Sequence, residues 1–463
     1  MTNPVGRLAQ VFEQAGFQLY LVGGPVRDRL MGRSSQDLDL TTDARPANIK
    51  LLIARAGADD VYTVGEKFGT IGAIFEGARV EVTTFRSDTY SPGSRKPDVE
   101  FGHSLEGDLG RRDFTVNAIA QDVRTGKIID PFGGVGDITL RLIRAVGVAD
   151  QRFDEDPLRL LRAVRFATQL HFDLDRDTAA AIRRNAARLR HISAERIGAE
   201  LQLMLLARRP EAAIKAMLEF GLLNFVLPEL LPLQTTVQDE RLEHKDVFAH
   251  TLRVLGVTAP VPELRWAALL HDVGKPQTKS VRAGRIRFYG HEDVGADLTR
   301  AILKRLRYDA RLVERVEHIV RLHMRANAYA SDWTDGAVRR FIREAGEDLE
   351  HLIALSRADI TSYRPRRVEA GLARVAELQA RCEMLDAEED VATLASPLDG
   401  HGLMLLFDRP AGPWIKPIKD HLLDLVLDGQ LAPDDVEGAR REALAFAARP
   451  ASTAATSAAV DAS

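Results

Sequence analysis

Cysteine is nearly absent. The 463-residue chain has one, Cys382, so it can form neither an internal disulfide nor a thiolate zinc cluster, and a reducing compartment is expected. No apolar run approaches membrane-spanning length, and the first residues lack the basic-then-apolar pattern of a signal peptide. The expectation is a cytoplasmic protein. Charge of one sign is also missing: 63 Lys and Arg against 67 Asp and Glu leave a formal −4, which does not announce a nucleic-acid binder. A basic groove can still exist locally, because acidic surface elsewhere cancels it in the sum. No fixed-period repeat is present. The composition, 45% hydrophobic and 28% charged, is that of a soluble globular protein, and the length calls for two to four cores rather than one.

The pattern mixes helix and strand up to about residue 145. Residues 5–16 read as an amphipathic helix, and strand-like pieces follow at 18–23, 37–41, 71–75, 79–85 and 115–121. From 155 onward apolar residues recur at helical spacing, as in Leu161, Val164 and Leu170, or Ile197, Leu201 and Leu205. The Pro-rich stretch 227–232 punctuates the helices and places a boundary near 230. Histidines then concentrate between 244 and 323, and an Ala/Ser/Thr-rich end at 450–463 is predicted to be disordered. The expected domains are 1–145, 146–230, 231–370, 371–449 and the tail 450–463.

Chemistry concentrates first in residues 21–46. Leu21-Val22 running into Gly23-Gly24 reads as a buried strand that ends in a tight turn, and Pro25-Val26-Arg27-Asp28 as a helix start. Glycines there let a phosphate approach the backbone closely. Asp37 and Asp39 flank Leu38, so a strand would point both carboxylates to one face, where they repel unless a divalent cation sits between them. Such oxygen ligands suit Mg²⁺. Glu81, in Val80-Glu81-Val82-Thr83, is the candidate third carboxylate for a two-metal clamp. Taken alone, an Asp-x-Asp is more often a pair of solvated strand or turn residues.

The order of these parts resembles the DNA polymerase β nucleotidyltransferase superfamily. Arg111-Arg112-Asp113-Phe114-Thr115-Val116-Asn117, Asp130-Pro131-Phe132-Gly133-Gly134, Glu155-Asp156-Pro157-Leu158-Arg159 and Ile192-Ser193-Ala194-Glu195-Arg196-Ile197 follow in sequence. Together they resemble the bacterial class II tRNA nucleotidyltransferases, which build the CCA 3′ end of tRNA from CTP and ATP; the resemblance covers about the first 220 residues. It implies an α+β fold: a polymerase β-type nucleotidyltransferase head with a mixed sheet and helices, followed by an all-α neck, body and tail. It implies catalysis and Mg²⁺ binding by Asp37, Asp39 and Glu81. It also implies nucleotide contacts by Gly23, Gly24, Arg27, Arg112, Asp113 and Asn117, with Arg112 and Asp113 on the ribose 2′-hydroxyl. Ser193 is expected to cap a neck helix, with Arg196 structural.

Asp156 and Arg159 are the expected base readers. On a helix they share a face, where a carboxylate accepts from the exocyclic amine of C or A and a guanidinium donates to the adjacent ring nitrogen. G and U reverse both groups and would leave buried polar atoms unpaired. The competing reading makes Asp156 a helix cap before a first-turn proline. Arg162 and Arg165 continue the basic stripe toward triphosphate or tRNA. Gly65-Glu66-Lys67-Phe68 resembles the CCA-adding pattern rather than the Gly-Arg-Arg-Phe of poly(A) polymerases. Residues 86–97 resemble the flexible loop that CC-only enzymes shorten. An A-adding enzyme carries the same motifs and stays open as an alternative.

The second constellation is His271-Asp272, after the apolar run 266–270, with His250 upstream and Asp359 downstream. An adjacent His-Asp at a helix end can place two ligands on one metal. This set resembles the HD phosphohydrolase superfamily, with His291 and His323 as further ligands; imidazoles suit a divalent transition metal better than Mg²⁺. The resemblance implies a phosphohydrolase acting in tRNA 3′-end repair, or a retained helical scaffold that holds tRNA.

Overall fold

A computed structural model describes residues 4–34, 38–89, 98–101, 104–237, 246–282, 285–361, 365–389 and 391–448. Asp37, residues 90–97 of the expected flexible loop, and the expected disordered tail 450–463 lie outside the described residues. The chain divides into two compact units at Leu231/Pro232.

In the first unit, α1 (Pro4–Gln14) buries Leu8 and Phe12, one helical turn apart. There follow β1 (Leu19–Val22), α2 (Gly24–Leu30), β2 (Leu38–Thr42), α3 (Pro46–Arg55), β3 (Asp60–Tyr62), β4 (Thr70–Phe75) and β5 (Ala78–Thr84). A two-stranded ribbon, β6 (Arg86–Thr89) with β7 (Asp98–Phe101), precedes α4 (Leu105–Gly110), and then β8 (Ala120–Asp122) and β9 (Ile128–Ile129) complete the head. Among the described residues the main sheet has seven strands in the order β3-β4-β5-β2-β1-β8-β9. Within that sheet, among the described residues, only β2 and β5 pair in parallel, in a register that sets Asp39 opposite Glu81. Alternation fixes that register: Val80, Val82 and Thr84 are buried while Glu81 and Thr83 face the other way, and a slip of one residue would turn the apolar set outward. Leu40, Val80 and Val82 pack with Phe12, Ile49 and Ile53 in one core.

Two glycines are required by geometry. Gly23 adopts φ 74°, ψ −135° between β1 and α2, a backbone region that side chains disfavour. A Cβ on Gly134 would stand 2.1 Å from the carbonyl oxygen of Thr115. The strand expected at 115–121 is realised only as β8: Thr115–Asn117 form a 3-10 turn instead, in which Asn117 Nδ2 donates to the buried Asp113.

The rest of this unit is α5 (Gly134–Leu140), β10 (Leu142–Ile143), α6 (Ala149–Glu155), α7 (Arg159–Leu170), β11 (Asp173–Leu174), α8 (Arg176–Asn185), α9 (Ala194–Leu205), α10 (Pro210–Glu219) and α11 (Leu223–Val226). It is helical apart from the short parallel pair β10–β11. Ser193 stands at the N-cap of α9 without a side-chain capping bond.

The second unit contains α12 (Val247–Val257), α13 (Pro262–Leu270), α14 (Lys275–Thr278), the hairpin β12 (Ser280–Arg282) and β13 (Arg285–Arg287), α15 (His291–Arg305), α16 (Ala310–Asn327), α17 (Asp335–Ala345), α18 (Leu349–Asp359), α19 (Pro365–Glu389), α20 (Gly400–Phe407), α21 (Ile415–Leu427) and α22 (Val436–Ala447). Helix α13 is buried from Leu264 to Leu270, as a helix apolar on all sides must be. Its one cation, Arg265, donates to the carbonyls of Leu255 in the last turn of α12 and of Ala259 just beyond it. Cys382 is buried in α19, which pushes its thiol pKa up to about 12 and leaves it inert.

Helix α16 is fastened to the start of α18 by charge. Arg315 Nε donates to Asp348 Oδ1 at 2.8 Å, and His318 Nδ1 lies 3.0 Å from Asp348 Oδ2. The bond to Asp348 raises the His318 pKa. Burial alone would raise Asp348, but His318 and Arg315 bring it below the usual carboxylate range. His318 therefore stabilises the fold fully below its unfolded pKa of about 6.5, and this is lost as pH rises through the higher folded value. The melting temperature of the natural chain should fall more between pH 6 and pH 8.5 than that of His318→Asn. Parallel pH curves for the two proteins would remove His318 from the account.

Candidate functional site

Within the first unit a cavity of about 1080 Å³ opens against the Gly23-Gly24 turn, and Asp39 and Glu81 both line it. These carboxylates come from adjacent parallel strands in direct register. Thr83, two residues along β5, also lines the cavity, and its hydroxyl is 2.9 Å from that of Thr70. Two carboxylates set side by side on one wall of a cavity form a donor set of hard oxygens suited to a divalent cation. Asp37, the third expected ligand, lies outside the described residues.

Arginines surround the remaining wall, and most are held by partners. Arg27 is buried and donates to Asn117 Oδ1 at 2.7 Å and to Asp28 at 2.8 Å. Arg112 reaches the carbonyl of Asn117 and the buried Asp108, each at 3.4 Å. Burial would raise the Asp108 pKa, but Arg111 and Arg112 beside it bring it below the ordinary value. Asp113 is likewise engaged at both oxygens: Oδ1 accepts from its neighbour Phe114 N and from Asn117 Nδ2, and Oδ2 accepts from Arg162 Nε at 2.8 Å. Burial opposes its ionisation, and Arg162, the Asn117 amide and Arg159 together more than offset that, so its pKa falls. Arg112 and Asp113, expected as a pair, thus bond to different partners.

The connection continues into α9. Glu200 Oε2 accepts from Arg165 Nε at 2.7 Å, and Glu200 Oε1 stands 3.6 Å from Arg162. Phe166 sits among these cations, its ring centroid 4.2 Å from the Arg165 guanidinium, 5.3 Å from that of Arg162 and 5.4 Å from that of Arg27. Reading the sequence missed both residues. Glu200 lies four positions after Arg196, just past the last motif, and Phe166 directly follows the stripe Arg159, Arg162, Arg165; its place at the end of that stripe was the available signal.

Asp156 and Arg159 both line the cavity, but they do not share a helical face. Helix α6 ends at Glu155, Asp156 is extended (φ −144°, ψ 97°), and α7 begins at Arg159. Asp156 is the C-cap of α6 rather than the N-cap of α7, which is Leu158: Asp156 Oδ1 accepts from the backbone N–H of Leu158 at 3.1 Å, while Oδ2 accepts from Arg196 at 2.7 Å. Pro157, which has no N–H, makes this break cheap. Arg159 donates through Nη1 to Glu155 and the Arg152 carbonyl, and through Nη2 to the Arg111 carbonyl. A guanidinium has five N–H groups, so these bonds leave Nε–H and one Nη2–H, and each Asp156 oxygen keeps a lone pair. Arg196, expected to be structural only, lines the cavity beside them.

In the second unit all six expected ligands converge. His250 (α12) places Nε2 2.8 Å from Asp359 Oδ1 at the end of α18 and 3.3 Å from His271 Nε2. Asp272 Oδ2 is 3.2 Å from His271 Nε2, while its Oδ1 is 3.5 Å from His291 Nε2 at the start of α15. His323 (α16) stacks edge-on to His271 and His291, with ring centroids at 5.6 and 5.2 Å. Two groups able to hold an ion result, His250–His271–Asp272 and Asp272–His291–His323, with Asp272 common to both.

The outward ring nitrogens set the orientation. Nδ1 of His271, His291 and His323 donates to the carbonyls of Ala268, Phe288 and Val320, and Nδ1 of His250 is 2.9 Å from the Thr361 hydroxyl. This arrangement aims each Nε2 inward, as metal-binding histidines are usually held. Nε2 of His291 and of His323 is buried without a hydrogen-bond partner, so a divalent cation fits there. Burial and the nearby His271 push the His323 pKa down to about 4, which keeps it in the neutral form that binds metals. Asn327, which donates to Asp359 Oδ2 at 2.7 Å, had no signal in the sequence.

Residues 19–144 match the family model described as the poly A polymerase head domain. Residues 171–233 match "Probable RNA and SrmB- binding site of polymerase A", and residues 247–364 match the HD domain. The chain is 33% identical over 426 residues to a CCA-adding enzyme of Geobacillus sp. (strain WCH70), covering 92% of each chain. It is 40% identical over 294 residues to that of Geobacillus stearothermophilus, 63% of this chain and 68% of that one. The crystal structure of the Bacillus stearothermophilus CCA-adding enzyme in complex with CTP superposes with a TM-score of 0.69 at 29% identity, over 96% of this chain and 99% of that one.

The buried arginine–carboxylate chain gives a direct test. Glu200→Gln leaves Arg165 buried without its counter-charge and should lower unfolding free energy by roughly 3 kcal/mol, read from the denaturant midpoint. Arg196→Ala, which breaks a half-exposed pair with Asp156, should change stability by less than about 1 kcal/mol.

Proposed function

The chain belongs to the family of CCA-adding enzymes, and on that footing we propose that the cavity of its first unit adds C, C and A to the 3′ end of tRNA from CTP and ATP. The observation that carries this reading is the in-register pair Asp39 and Glu81 beside the glycine turn. With Asp37 they would hold Mg²⁺, which when bound activates the tRNA 3′-oxygen and neutralises the departing pyrophosphate. In the reaction the 3′-oxygen forms a bond to the α-phosphorus of the nucleotide, and the bond from that phosphorus to pyrophosphate breaks.

The chain's own residues do the positioning. The bend at Gly23-Gly24 brings backbone close to the triphosphate, with Arg27, Arg112, Asp113 and Asn117 as the braced wall beside it. Arg162 and Arg165, already paired with Asp113 and Glu200, keep the cavity basic. The base is read by what Asp156 and Arg159 have left: a carboxylate lone pair for the exocyclic amine of C or A, and an N–H for the adjacent ring nitrogen. Arg196 holds Asp156 for that task. Because the recipient is RNA, binding should weaken with salt. The cytoplasm is the compartment that suits a chain with one cysteine and a tRNA substrate.

The six ligands of the second unit form a metal-dependent phosphohydrolase centre, and repair of tRNA 3′ ends is the reaction we assign to it. Their imidazole-rich composition suits a divalent transition metal, which when bound supplies an activated water. Hydrolysis of a terminal phosphate then forms a bond from water oxygen to phosphorus and breaks the phosphorus–ribose oxygen bond. The displaced oxygen takes the proton, and inorganic phosphate leaves. Lys275, 2.7 Å from Asp272, is placed to receive the phosphate charge.

Four measurements test these readings. Purified protein given a tRNA that lacks CCA, with CTP and ATP separately and together, should restore CCA by sequencing of the new ends; long A tails from ATP alone would favour a poly(A) polymerase. Asp39→Ala should reduce incorporation of both nucleotides by at least about 100-fold. Asp156→Ala should cut the preference for CTP over UTP by at least about 100-fold, and an equal loss for all four nucleotides would exclude base reading. For the second unit, calorimetric Ni²⁺ uptake by the natural chain should disappear in Asp272→Asn.

A further inference from the structure

Between Asp272 and Glu292 the chain carries Lys275, Lys279, Arg282, Arg285 and Arg287 and no carboxylate, in a protein whose formal charge is −4. The middle of this segment is the hairpin β12–β13, in which Ser280 pairs with Arg287, Val281 with Ile286 and Arg282 with Arg285. Opposed residues of an antiparallel pair point to the same side, so Ser280, Arg282, Arg285 and Arg287 share one face and Val281 and Ile286 the other. The three arginines and Lys279 are exposed. Like charges directly opposite one another destabilise a strand pair. Among the described residues, no carboxylate lies in ion-pair reach of these four cations. The hairpin retains a repulsion that a polyanion would relieve.

Both feet of the hairpin are tied to the histidine–aspartate cluster. On the incoming side, Lys275 Nζ contacts Asp272 Oδ2 at 2.7 Å and lies 5.5 Å from the centre of the Phe288 ring. On the outgoing side, the Phe288 carbonyl accepts from His291 Nδ1 at 2.8 Å. A Cβ on Gly274 would stand 2.3 Å from the His291 carbonyl oxygen, so glycine is what lets the two feet touch. Next to Phe288, Tyr289 is 68% exposed. A basic face beside an exposed aromatic ring is the combination that holds single-stranded nucleic acid, with phosphates on the cations and a base on the ring.

We propose that this hairpin is an RNA-binding arm of the second unit: Arg282, Arg285 and Arg287 follow the phosphodiester backbone of a single-stranded 3′ end, Tyr289 stacks on a base, and the terminal phosphate is thereby delivered to the six-ligand cluster. The delivery rests on the reading of that cluster as a phosphohydrolase; the binding does not. An acidic peptide would satisfy the arginines but has no use for the ring.

The test uses the full-length protein and a fluorescent single-stranded decaribonucleotide ending in a 3′-phosphate, with anisotropy measured over a salt series. In Arg282→Gln/Arg285→Gln/Arg287→Gln, loss of three phosphate contacts should reduce the slope of log affinity against log salt by about 2 and weaken binding at least about 10-fold at 100 mM salt. The melting temperature should not fall, since the substitutions remove repulsion. Ni²⁺ uptake and CMP incorporation into tRNA should stay within about twofold of the natural chain. Tyr289→Ala should weaken binding about 10-fold with the slope unchanged. An unaltered slope and affinity in the triple variant would overturn the proposal, as would equal binding of a poly-glutamate peptide. A parallel fall in CMP incorporation would also overturn it, by making the hairpin a general grip on tRNA. A natural chain that takes up no Ni²⁺ while the slope change persists overturns the reading of the cluster and the delivery, and leaves the RNA arm standing.

Discussion

Repulsion between two carboxylates is the constraint around which the first unit is arranged. Asp39 and Glu81 are placed side by side by the parallel pairing of β2 and β5, and hydrophobic alternation on the opposite face prevents the strands from sliding to relieve it. The cavity wall facing them is correspondingly basic. Those arginines would repel each other in turn, and they are kept in place by buried carboxylates: Asp108 for Arg111 and Arg112, Asp113 for Arg162, Glu200 for Arg165. Charge therefore alternates outward from the centre. The aromatic ring of Phe166 fills the space between three of the cations without adding a fourth charge.

Local pattern made much of this legible. The alternation around Asp39 and Glu81 announced two strands with their carboxylates on one side, and His271-Asp272 after an apolar helix announced the second cluster even though its ligands are spread from 250 to 359. Where the reading went astray, a specific bond had overruled the periodic pattern. Thr115 and Val116 are β-branched and read as strand, yet Gly134 packs against the Thr115 carbonyl and Asn117 turns to Asp113, so residues 115–117 curl. Asp156 and Arg159 have helical spacing, yet the bond from Leu158 N–H to Asp156 stops one helix and starts another between them. Glu200 and Asn327 act through partners 35 and 32 positions away, a separation that periodicity does not register.

The two units present different donor chemistry. Carboxylate oxygens at the strand pair are hard ligands, which favour a small ion that keeps its waters and shares substrate phosphates. The second cluster offers four imidazoles with their Nε2 atoms turned inward, a softer set that favours transition ions. The two donor sets therefore differ in the class of divalent ion they suit. The conformational demands differ as well. The first cavity depends on a glycine with positive φ and on in-register strands, the second on backbone carbonyls at the ends of helical turns that fix the imidazole rings.

Asp272 belongs to both histidine groups, one oxygen toward each. Its removal would break both triads at once, yet the surrounding helices are packed by apolar contacts such as those of Trp266 and Val320. A descendant of this chain could thus lose both triads by changing one codon and still inherit the entire helical body. The loss would be abrupt rather than gradual, and a lineage that retains all six side chains has not taken that step.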